Sequence, residues 1–306
     1  MTASSTPTAL LLATDLSART DRALARALQL ARQWNARLVV ATVLPDAATT
    51  GITGGLLSSA PAVDDGQARQ LAERRLQRLL EGDADDLQVE LRIGHGHVGR
   101  ALLQLAAQED CGLIITGIAR DSLFEQPTLG STVMWLTRHS RLPVLIVHDR
   151  VRGPYRHLSV ACDFSDSAAQ AAGCALELFD VPLQLSLVHA LDAPGSLLPG
   201  GDRDTLQEQS ASAARTQAQA FLAQLRPRLG QAHVHAVIEP GEPARILADH
   251  ARSAGTELVI VATHGRGALF DLLIGSVARR IVETLETDTL LVRDPRSLAV
   301  AAGNDD

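Results

Sequence analysis

The chain has 306 residues, enough for two domains of ordinary size, and 46% of them are apolar while only 3% are aromatic. The formal net charge of −7 argues against a general nucleic-acid partner, because such proteins usually present a basic surface. No apolar run approaches the ~20 residues that a membrane-spanning helix needs. The N-terminus lacks the basic region and cleavage pattern of a signal peptide, so a cytoplasmic protein is expected.

Apolar runs and helical spacing predict alternating strands and helices throughout the first half. Strands are predicted at residues 9–14, 38–44, 87–93, 113–116 and 144–147. Helices are predicted between Ser17, a favourable N-cap, and Asn35, and at residues 65–80, 98–108 and 131–139. The side chains expected to face inward from the second helix are Leu71, Leu76, Leu79 and Leu80. Residues 46–66 are predicted to form a loop.

The pattern begins again near residue 150, and this internal repeat indicates a duplicated domain. ATDLS at residues 13–17 recurs as ACDFS at residues 161–165, and LGSTV at residues 129–133 aligns with IGSVA at residues 274–278. Residues 89–103 align without a gap with residues 234–248. The predicted domains are residues 8–149 and 154–295, joined by a short linker.

The predicted strands lack polar alternation, which is typical of strands buried on both faces. Each half is therefore predicted to be a parallel α/β sheet with helices on both sides. In such sheets, ligands bind outside the carboxyl ends of the strands, where the strand order reverses. Asp15 and Asp163 each follow the first strand of their half. Each should meet, at this crevice, the glycine-containing turn after the fourth strand.

The segment after the fourth strand of the second half has the composition of a phosphate-binding cradle. An apolar run at residues 258–261 leads into a turn containing Gly265, and a helix is predicted from Gly275 and Ser276. Apolar residues at helical spacing follow at Val277, Ile281, Val282 and Leu285. Glycine lets backbone approach a ligand closely, and a helix N-terminus offers N–H groups to an anion. A tight turn that the fold itself requires is the simpler interpretation.

With these motifs, the chain resembles a tandem universal stress protein over nearly all of residues 8–295. The resemblance rests on the strand-one Asp followed by a capping Ser, and on the pattern Gly-x2-Gly-x9-Gly-Ser after strand four. It implies two doubly wound, open, parallel five-stranded sheets of order 3-2-1-4-5, Rossmann-like and arranged as a pseudo-dimer whose last strands pair. In nucleotide-binding members, the glycine segment holds ribose and phosphates. The strand-one Asp contacts the ribose or phosphate side, and a small apolar residue on strand two flanks adenine.

Carried over to the second half, the resemblance implies a nucleotide site that departs from the family pattern at one position. The residues implied are Ala161, Asp163, Ala190, Ala262, Gly265, Gly275, Ser276 and Val277. Ala262 stands where the family has glycine, and its methyl group can crowd a ligand without necessarily abolishing binding. The Ser276 hydroxyl can donate to a phosphate oxygen, and Arg266 or Arg279 can neutralise phosphate charge.

The first half departs from the pattern differently. Its corresponding residues are Asp15, Val43, Gly117, Arg120, Gly130 and Ser131. Arg120 replaces the second glycine, where a non-glycine residue adopts positive φ only at a cost. Its side chain can also occupy the phosphate site as a permanent cation. We therefore expect the first half to be a degenerate partner and the second half to contain the main site.

The remaining candidate residues have simple structural interpretations. The three cysteines are odd in number and lack metal-ligand spacing, which argues against a disulfide framework. Cys162, at the predicted site, is interpreted as a small buried hydrophobe, with a redox-active thiol as the alternative. His95 and His97 lack the third ligand that a zinc site requires. His264, in the glycine turn, is expected to brace the loop.

The sequence predicts a non-catalytic, adenine-nucleotide-binding stress-response regulator that takes ATP or AMP, with or without Mg²⁺, and acts on an unidentified protein partner. The sequence contains neither a Walker motif nor a Gly-x-Ser-x-Gly elbow, so an enzyme is not predicted. Slow ATP hydrolysis is nevertheless compatible with a nucleotide site of this kind. One alternative is an interaction module in which neither half binds nucleotide, which Arg120 and Ala262 favour. Another is an ATP-using enzyme of related fold, which the absence of an SGGxDS-type loop disfavours. A monomeric pseudo-dimer or a weak homodimer is expected.

Overall fold

The structure has the predicted alternation of apolar strands and amphipathic helices. The computed structural model describes residues 6–17, 20–44, 65–82, 84–118, 130–179, 184–191, 200–263 and 275–293. The strands in these ranges are β1 (Ala9–Ala13), β2 (Arg37–Leu44), β3 (Val89–His95), β4 (Leu113–Gly117), β5 (Val144–Val147), β6 (His157–Ala161), β7 (Gln184–Leu191), β8 (His233–Pro240), β9 (Leu258–Ala262) and β10 (Asp288–Val292).

The helices connect successive parallel strands within each half. Those in the described ranges are α1 (Asp21–Trp34), α2 (Asp65–Leu80), α3 (Val98–Gln108), α4 (Ser131–His139), α5 (Asp166–Leu178), α6 (Gly200–Leu225), α7 (Pro243–Ala254) and α8 (Ser276–Thr284). Helix α7 shows how the local sequence sets such bounds. Pro243 occupies its first turn, Glu242 caps it, and Gly255 ends it in the left-handed region with φ of 66°.

All ten of these strands form a single sheet, in the order β3-β2-β1-β4-β5-β10-β9-β6-β7-β8. The order 3-2-1-4-5 predicted for each half and the pairing of the two last strands are confirmed, but one ten-stranded sheet stands in place of the two five-stranded sheets expected. The reason is that β5 and β10 pair antiparallel, with Ile146, Leu145 and Val144 opposite Thr289, Leu290 and Leu291. This pair satisfies the strand edges that would otherwise end each sheet.

Two hydrophobic cores cover the two faces of the sheet. Successive residues of β1 alternate between them, with Leu10 and Leu12 in one core and Leu11 in the other. The first core contains residues of α1, α2, α5 and α6, and the second contains residues of α3, α4, α7 and α8. Burial on both faces explains why the strands are apolar without polar alternation.

Several predicted bounds are confirmed, and one strand is displaced. The helices predicted at residues 65–80, 98–108 and 131–139 and the strand at residues 144–147 have those bounds. The third strand begins at Val89 rather than at residue 87, because the N–H of Leu87 bonds to the carbonyl oxygen of Ala84 in a turn at 3.0 Å.

The prediction that Ser17 caps the first helix is wrong. Helix α1 begins four residues later with Thr20 at its N-cap, and no side chain makes a capping hydrogen bond there. The N–H and the hydroxyl of Ser17 instead donate to Oδ1 of Asp15, at 3.0 and 2.7 Å. Leu16 between them has φ of 61°, so the chain turns sharply before the helix can start.

Two apolar residues expected on buried helix faces are exposed. Leu71 of α2 and Val277 of α8 are each 50% exposed, whereas Leu76 is fully buried. Leu79 and Leu80 pack against the first core from its periphery. The buried face of α2 runs through Ala72 and Leu76, four residues apart, and Leu71 lies off this face.

A buried carboxylate joins the two halves where β10 begins. Asp288 has no exposed surface, and its Oδ1 accepts hydrogen bonds from the backbone N–H groups of His148 and Asp149 at 2.7 and 2.8 Å. Its Oδ2 accepts a hydrogen bond from the Tyr155 hydroxyl at 2.6 Å and lies 3.5 Å from Nε of Arg26. The carboxylate thus binds the segment between the halves and α1 of the first half.

Arg26 and Tyr155 complete this junction cluster, which we define as Arg26, Tyr155 and Asp288. The Arg26 guanidinium lies 3.9 Å above the centre of the Tyr155 ring, and its Nη1 donates to the carbonyl oxygen of Gly153 at 2.8 Å. Burial, and then the Asp288 carboxylate, raise the pKa of Tyr155 well above its ordinary value. The phenol therefore remains a hydrogen-bond donor.

We expect Asp288→Ala to lower the free energy of unfolding by about 3–5 kcal/mol, because the buried Arg26 charge loses its partner. Tyr155→Phe removes one hydrogen bond to a charged group and should cost about 1.5–3 kcal/mol. Urea unfolding followed by circular dichroism measures both. Glu73→Gln, which breaks the exposed Arg69–Glu73 pair, is the control and should change little. An equally small effect of Asp288→Ala would contradict this role of the cluster.

Candidate functional site

A cavity of about 520 Å³ opens at the carboxyl ends of β6, β7 and β9, beside α7 and α8. Its volume lies in the range of ordinary small-molecule sites. Seven of the residues predicted for this half line it, namely Ala161, Asp163, Ala190, Ala262, Gly275, Ser276 and Val277. It is further lined by Cys162, Val188, His189, Pro243, Leu247, Val261, Thr263, Ala278 and Ile281. We call this the C-terminal cavity.

The strand-one carboxylate of this half braces a loop and also lines the cavity. Oδ1 of Asp163 accepts a hydrogen bond from the N–H of Ser165 at 3.0 Å, across Phe164, whose φ is 60°. Ser165 in turn caps α5 by accepting a hydrogen bond from the N–H of Ala168 at 3.2 Å. A carboxylate oxygen has two lone pairs, so this bond does not exhaust the acceptor capacity of Asp163.

Helix α8 begins inside the cavity without a capping side chain. Gly275 is its N-cap residue, and the first backbone bond of the helix runs from Arg279 to the carbonyl oxygen of Gly275 at 3.0 Å. The first turn contains no acidic residue. The N–H groups of Ser276, Val277 and Ala278 have no acceptor among the described residues, so they point positive dipole ends at the cavity.

None of the described residues around position 275 requires a glycine there. Its φ of −56° is accessible to any residue, and an added Cβ would lie an ordinary 3.6 Å from the carbonyl oxygen of Thr263. By contrast, a Cβ at Gly99 would lie 2.2 Å from the Trp135 ring. The missing side chain at Gly275 therefore leaves open space where the backbone faces the cavity.

The first half has a corresponding cavity of about 290 Å³, which we call the N-terminal cavity. It contains the predicted residues Asp15, Val43, Gly117, Gly130 and Ser131. It is further lined by Ala13, Thr14, Thr20, Val98, Leu102, Thr116, Ile118, Thr132 and Val133. Helix α4 starts there at Gly130, again without a capping side chain. The strand-one Asp thus lines the same cavity as Gly117 in the first half and as Thr263 and Gly275 in the second, while the predicted turn at Gly265 lies outside the described residues.

The Asp15 carboxylate is held in its charged form by neighbouring donors. Burial alone would raise the pKa of this carboxyl. The hydrogen bonds from the hydroxyl and N–H of Ser17 and from the Thr20 hydroxyl outweigh burial together, so the pKa of Asp15 lies below its ordinary value. Asp15 is therefore a brace for the turn before α1 as well as a wall of the cavity.

Side-chain size differs between the two cavities at matching positions. Val43 stands where the second half has Ala190, and Val133 stands where it has Ala278. Each valine has two more carbon atoms than the corresponding alanine and fills space at the N-terminal cavity. At the position that matches Ala262, the first half has Gly117, whose missing side chain leaves more space in the N-terminal cavity. The N-terminal cavity is the smaller of the two, at about 290 Å³ against about 520 Å³.

The helices that flank the cavities are held together differently in the two halves. His97 Nδ1 caps α3 and Glu242 Oε2 caps α7, each by accepting a backbone N–H, at 3.3 and 2.9 Å. His97 packs on Trp135 with ring centres 5.0 Å apart, whereas Glu242 lies 3.7 Å from the guanidinium of Arg280. An aromatic contact in the first half thus replaces an ion pair in the second.

The other candidates from the sequence have varied outcomes. His97 is a helix cap, and no group of three or more metal-ligating side chains occurs in the described ranges. Cys162 is buried and lines the C-terminal cavity, while Arg279 pairs with Glu283 at 2.8 Å on the helix surface. The predicted residues that lie outside the described ranges are Arg120, His264, Gly265 and Arg266.

His189 is a lining residue that the sequence did not reveal. It precedes Ala190 on β7, and its Nδ1 lies 2.7 Å from the carbonyl oxygen of Cys162. The internal repeat could have indicated this residue, because the matching residue of the first half is Thr42. The two halves thus differ in a polar side chain directly beside a predicted ligand contact.

The duplicated, doubly wound α/β fold with a crevice in each half defines the class of this protein. The model of the universal stress protein family matches residues 8–148 and 154–293, and the chain belongs to that family. A universal stress protein of Mycolicibacterium smegmatis is 25% identical over 300 residues, which cover 96% of this chain and 99% of the relative. One of Mycobacterium tuberculosis is 27% identical over 249 residues, covering 77% and 76%.

Solved structures support the fold. A functionally unknown protein of Pseudomonas aeruginosa has a TM-score of 0.64 at 18% identity, covering 96% of this chain and 95% of that one. A universal stress protein of Archaeoglobus fulgidus has a TM-score of 0.61 at 18% identity, covering 93% and 96%. Within the described ranges, no helix has both the length and the apolar character needed to cross a membrane.

We expect Gly275→Ser to raise the free energy of unfolding of the ligand-free protein by about 0.5 kcal/mol, because a hydroxyl would cap α8 and the unfolded chain would lose freedom. Gly130→Ser should do the same for α4. Gly99→Ser should instead destabilise by about 1–3 kcal/mol through its clash with Trp135. Thermal unfolding compares the three variants. A marked loss of stability in Gly275→Ser would show that the fold itself needs this glycine.

Proposed function

We propose that the chain is an adenine-nucleotide-binding regulator of the stress response, and that the C-terminal cavity is its main nucleotide site. The observation that carries this proposal is the uncapped start of α8 inside a cavity that Asp163 also lines. A helix N-terminus favours a phosphate, and a carboxylate accepts hydrogen bonds from ribose hydroxyls. Family membership makes the same class of ligand the first expectation.

The walls of the cavity suit an adenine ring. Pro243 and Leu247 of α7 and Ile281 of α8 line it, and small side chains leave room at Ala190 and Ala161. Such a site offers apolar surface to the base and polar groups to the sugar and phosphates, as small-molecule sites commonly do. ATP or AMP fits this division, with Mg²⁺ bound mainly through the phosphates and water.

We propose that the protein acts by binding rather than by catalysis. The lining residues with titratable side chains are, in the part of the chain that the structure describes, Asp163, His189 and Cys162. Asp163 braces a loop, His189 bonds to a backbone carbonyl, and Cys162 is buried. A nucleotide that alters the surface around α8 for a protein partner requires none of them to react.

Ala262 gives specific support to a second candidate function, an interaction module that binds no nucleotide. Ala262 lines the C-terminal cavity at a position where the pattern of nucleotide-binding universal stress proteins has glycine. In that case both cavities would be remnants and the surface alone would bind the partner.

We further propose that the chain is a pseudo-dimer made of residues 8–149 and 154–295, and that it is a monomer or a weak homodimer in solution. The antiparallel pairing of β5 with β10 supports this, because it already occupies the edge strands through which two such sheets would meet.

Calorimetric titration with ATP and Mg²⁺ should show one site, in the C-terminal cavity. Asp163→Asn, which keeps an oxygen for the Ser165 N–H but removes the charge, should weaken binding by about tenfold or more. Gly275→Val should abolish it, because the branched side chain occupies the space in front of the α8 N–H groups.

Asp15→Asn and Gly130→Val are the matched controls in the first half, and both should leave the measured affinity unchanged. Loss of binding in either control would place the main site in the N-terminal cavity. Absence of heat and of thermal protection at millimolar ATP in the unmodified protein would exclude the nucleotide function and favour the interaction module.

Ala262→Gly should tighten ATP binding by about fivefold, since removing a crowding methyl group from a packed contact is worth about 1 kcal/mol. The reciprocal change in the first half, Gly117→Ala, should have no effect on this affinity. Calorimetry of the two variants beside the unmodified protein measures the difference. An unchanged or weaker affinity in Ala262→Gly would mean that the methyl group does not crowd the ligand.

A further inference from the structure

His189 has a fixed orientation at the rim of the C-terminal cavity. Its side chain is half-buried near the end of β7 and lines the cavity together with Ala190 and Asp163. One face of the imidazole packs on Phe164, with ring centres 4.4 Å apart, and Phe164 packs in turn on Phe221 of α6 at 5.9 Å. These contacts restrict the rotation of the imidazole ring.

The hydrogen bond to Cys162 fixes which ring nitrogen carries the proton. Nδ1 of His189 lies 2.7 Å from the carbonyl oxygen of Cys162, and a carbonyl oxygen can only accept. In the neutral imidazole, Nδ1 is therefore the donor and Nε2 carries the lone pair. Nε2 forms no hydrogen bond with a described residue, and it is not among the buried polar atoms that lack a partner. Its lone pair is thus used by none of the described residues.

Donors and acceptors are segregated in this cavity. The ends of β6 and β7 supply acceptors, the Asp163 carboxylate and His189 Nε2. The start of α8 supplies backbone donors, the N–H groups of Ser276, Val277 and Ala278. A ligand that satisfies both sets needs hydroxyl groups toward the strand ends and an anionic group toward the helix. A nucleotide has this arrangement, with a ribose diol attached to a phosphate.

We propose that His189 is a ligand-binding residue whose Nε2 accepts a hydrogen bond from a ribose hydroxyl. This inference rests on the proposed nucleotide function and names a contact within that site. It distinguishes the two halves, because the matching residue of the N-terminal half is Thr42, which is buried and does not line the cavity there. The structural alternative is that His189 only anchors the loop after β6 through Cys162.

The test compares ATP with 2′,3′-dideoxy-ATP, which lacks both ribose hydroxyls, by calorimetry on the full chain. The variant is His189→Asn, whose amide N–H can still donate to the Cys162 carbonyl while nothing replaces Nε2. We expect about a fivefold loss of affinity for ATP and no loss for the dideoxy nucleotide, since one hydrogen bond is removed only where its partner exists. Thr42→Val, the matched change in the first half, should leave both affinities unchanged.

His189→Gln separates the two roles further, because its longer amide reaches toward the position of Nε2 and should recover part of the preference for ATP. Equal weakening of both nucleotides in His189→Asn would show that the residue only anchors the loop and would overturn the inference. An unchanged affinity for both would overturn it as well. If the unmodified protein binds neither nucleotide, the proposed function itself fails and this contact fails with it.

Discussion

The arrangement of the whole chain depends on one carboxylate buried at the seam of the sheet. Burying Asp288 is costly unless every strong acceptor site is used, and here it accepts three hydrogen bonds and faces the Arg26 guanidinium. These partners come from α1 and from the segment between the halves. The short β5–β10 ladder has only three paired residues on each strand, so this polar cluster supplements it directly.

The direction of the strands at the seam determines where the two sites lie. Strands within each half are parallel, so their carboxyl ends all lie at the same end of that half of the sheet. Because β5 and β10 are antiparallel, the strands of the two halves run in opposite directions, and their carboxyl ends lie at opposite ends of the strands. The C-terminal and N-terminal cavities therefore face away from each other, and a ligand in one has no direct contact with the other.

The sequence could predict the features that depend on short-range patterns. The bounds of α2, α3 and α4 follow from helical spacing and end signals within each helix, and the two crevices follow from the repeat combined with the rule for parallel sheets. The helix cap was mispredicted because the N–H and hydroxyl of Ser17 donate to Asp15, and α1 begins only at Asp21. Asp288 and Tyr155 were beyond such reasoning, since 133 residues separate them and only the folded sheet brings them together.

The sites show the same limit. The residues of the C-terminal cavity could be named from the motif, but the tautomer of His189 depends on a carbonyl group 27 residues away. Val277 is half exposed although Ala278, Ile281 and Val282 of the same helix are buried, a difference that depends on which face of α8 packs on the sheet. The sequence pattern thus predicted where the crevices lie, whereas the orientation of each polar group is known only from the packed structure.

Covalent fusion frees the two halves from symmetry. In a symmetric homodimer every substitution appears in both subunits, so a change that narrows one site narrows the other. In this chain, Val43 and Ala190 occupy matching places, and an aromatic pair at Trp135 matches an ion pair at Arg280. Each of these differences is confined to one half, while both halves share the seam. In a duplicated chain, a substitution near one cavity therefore leaves the other cavity unchanged.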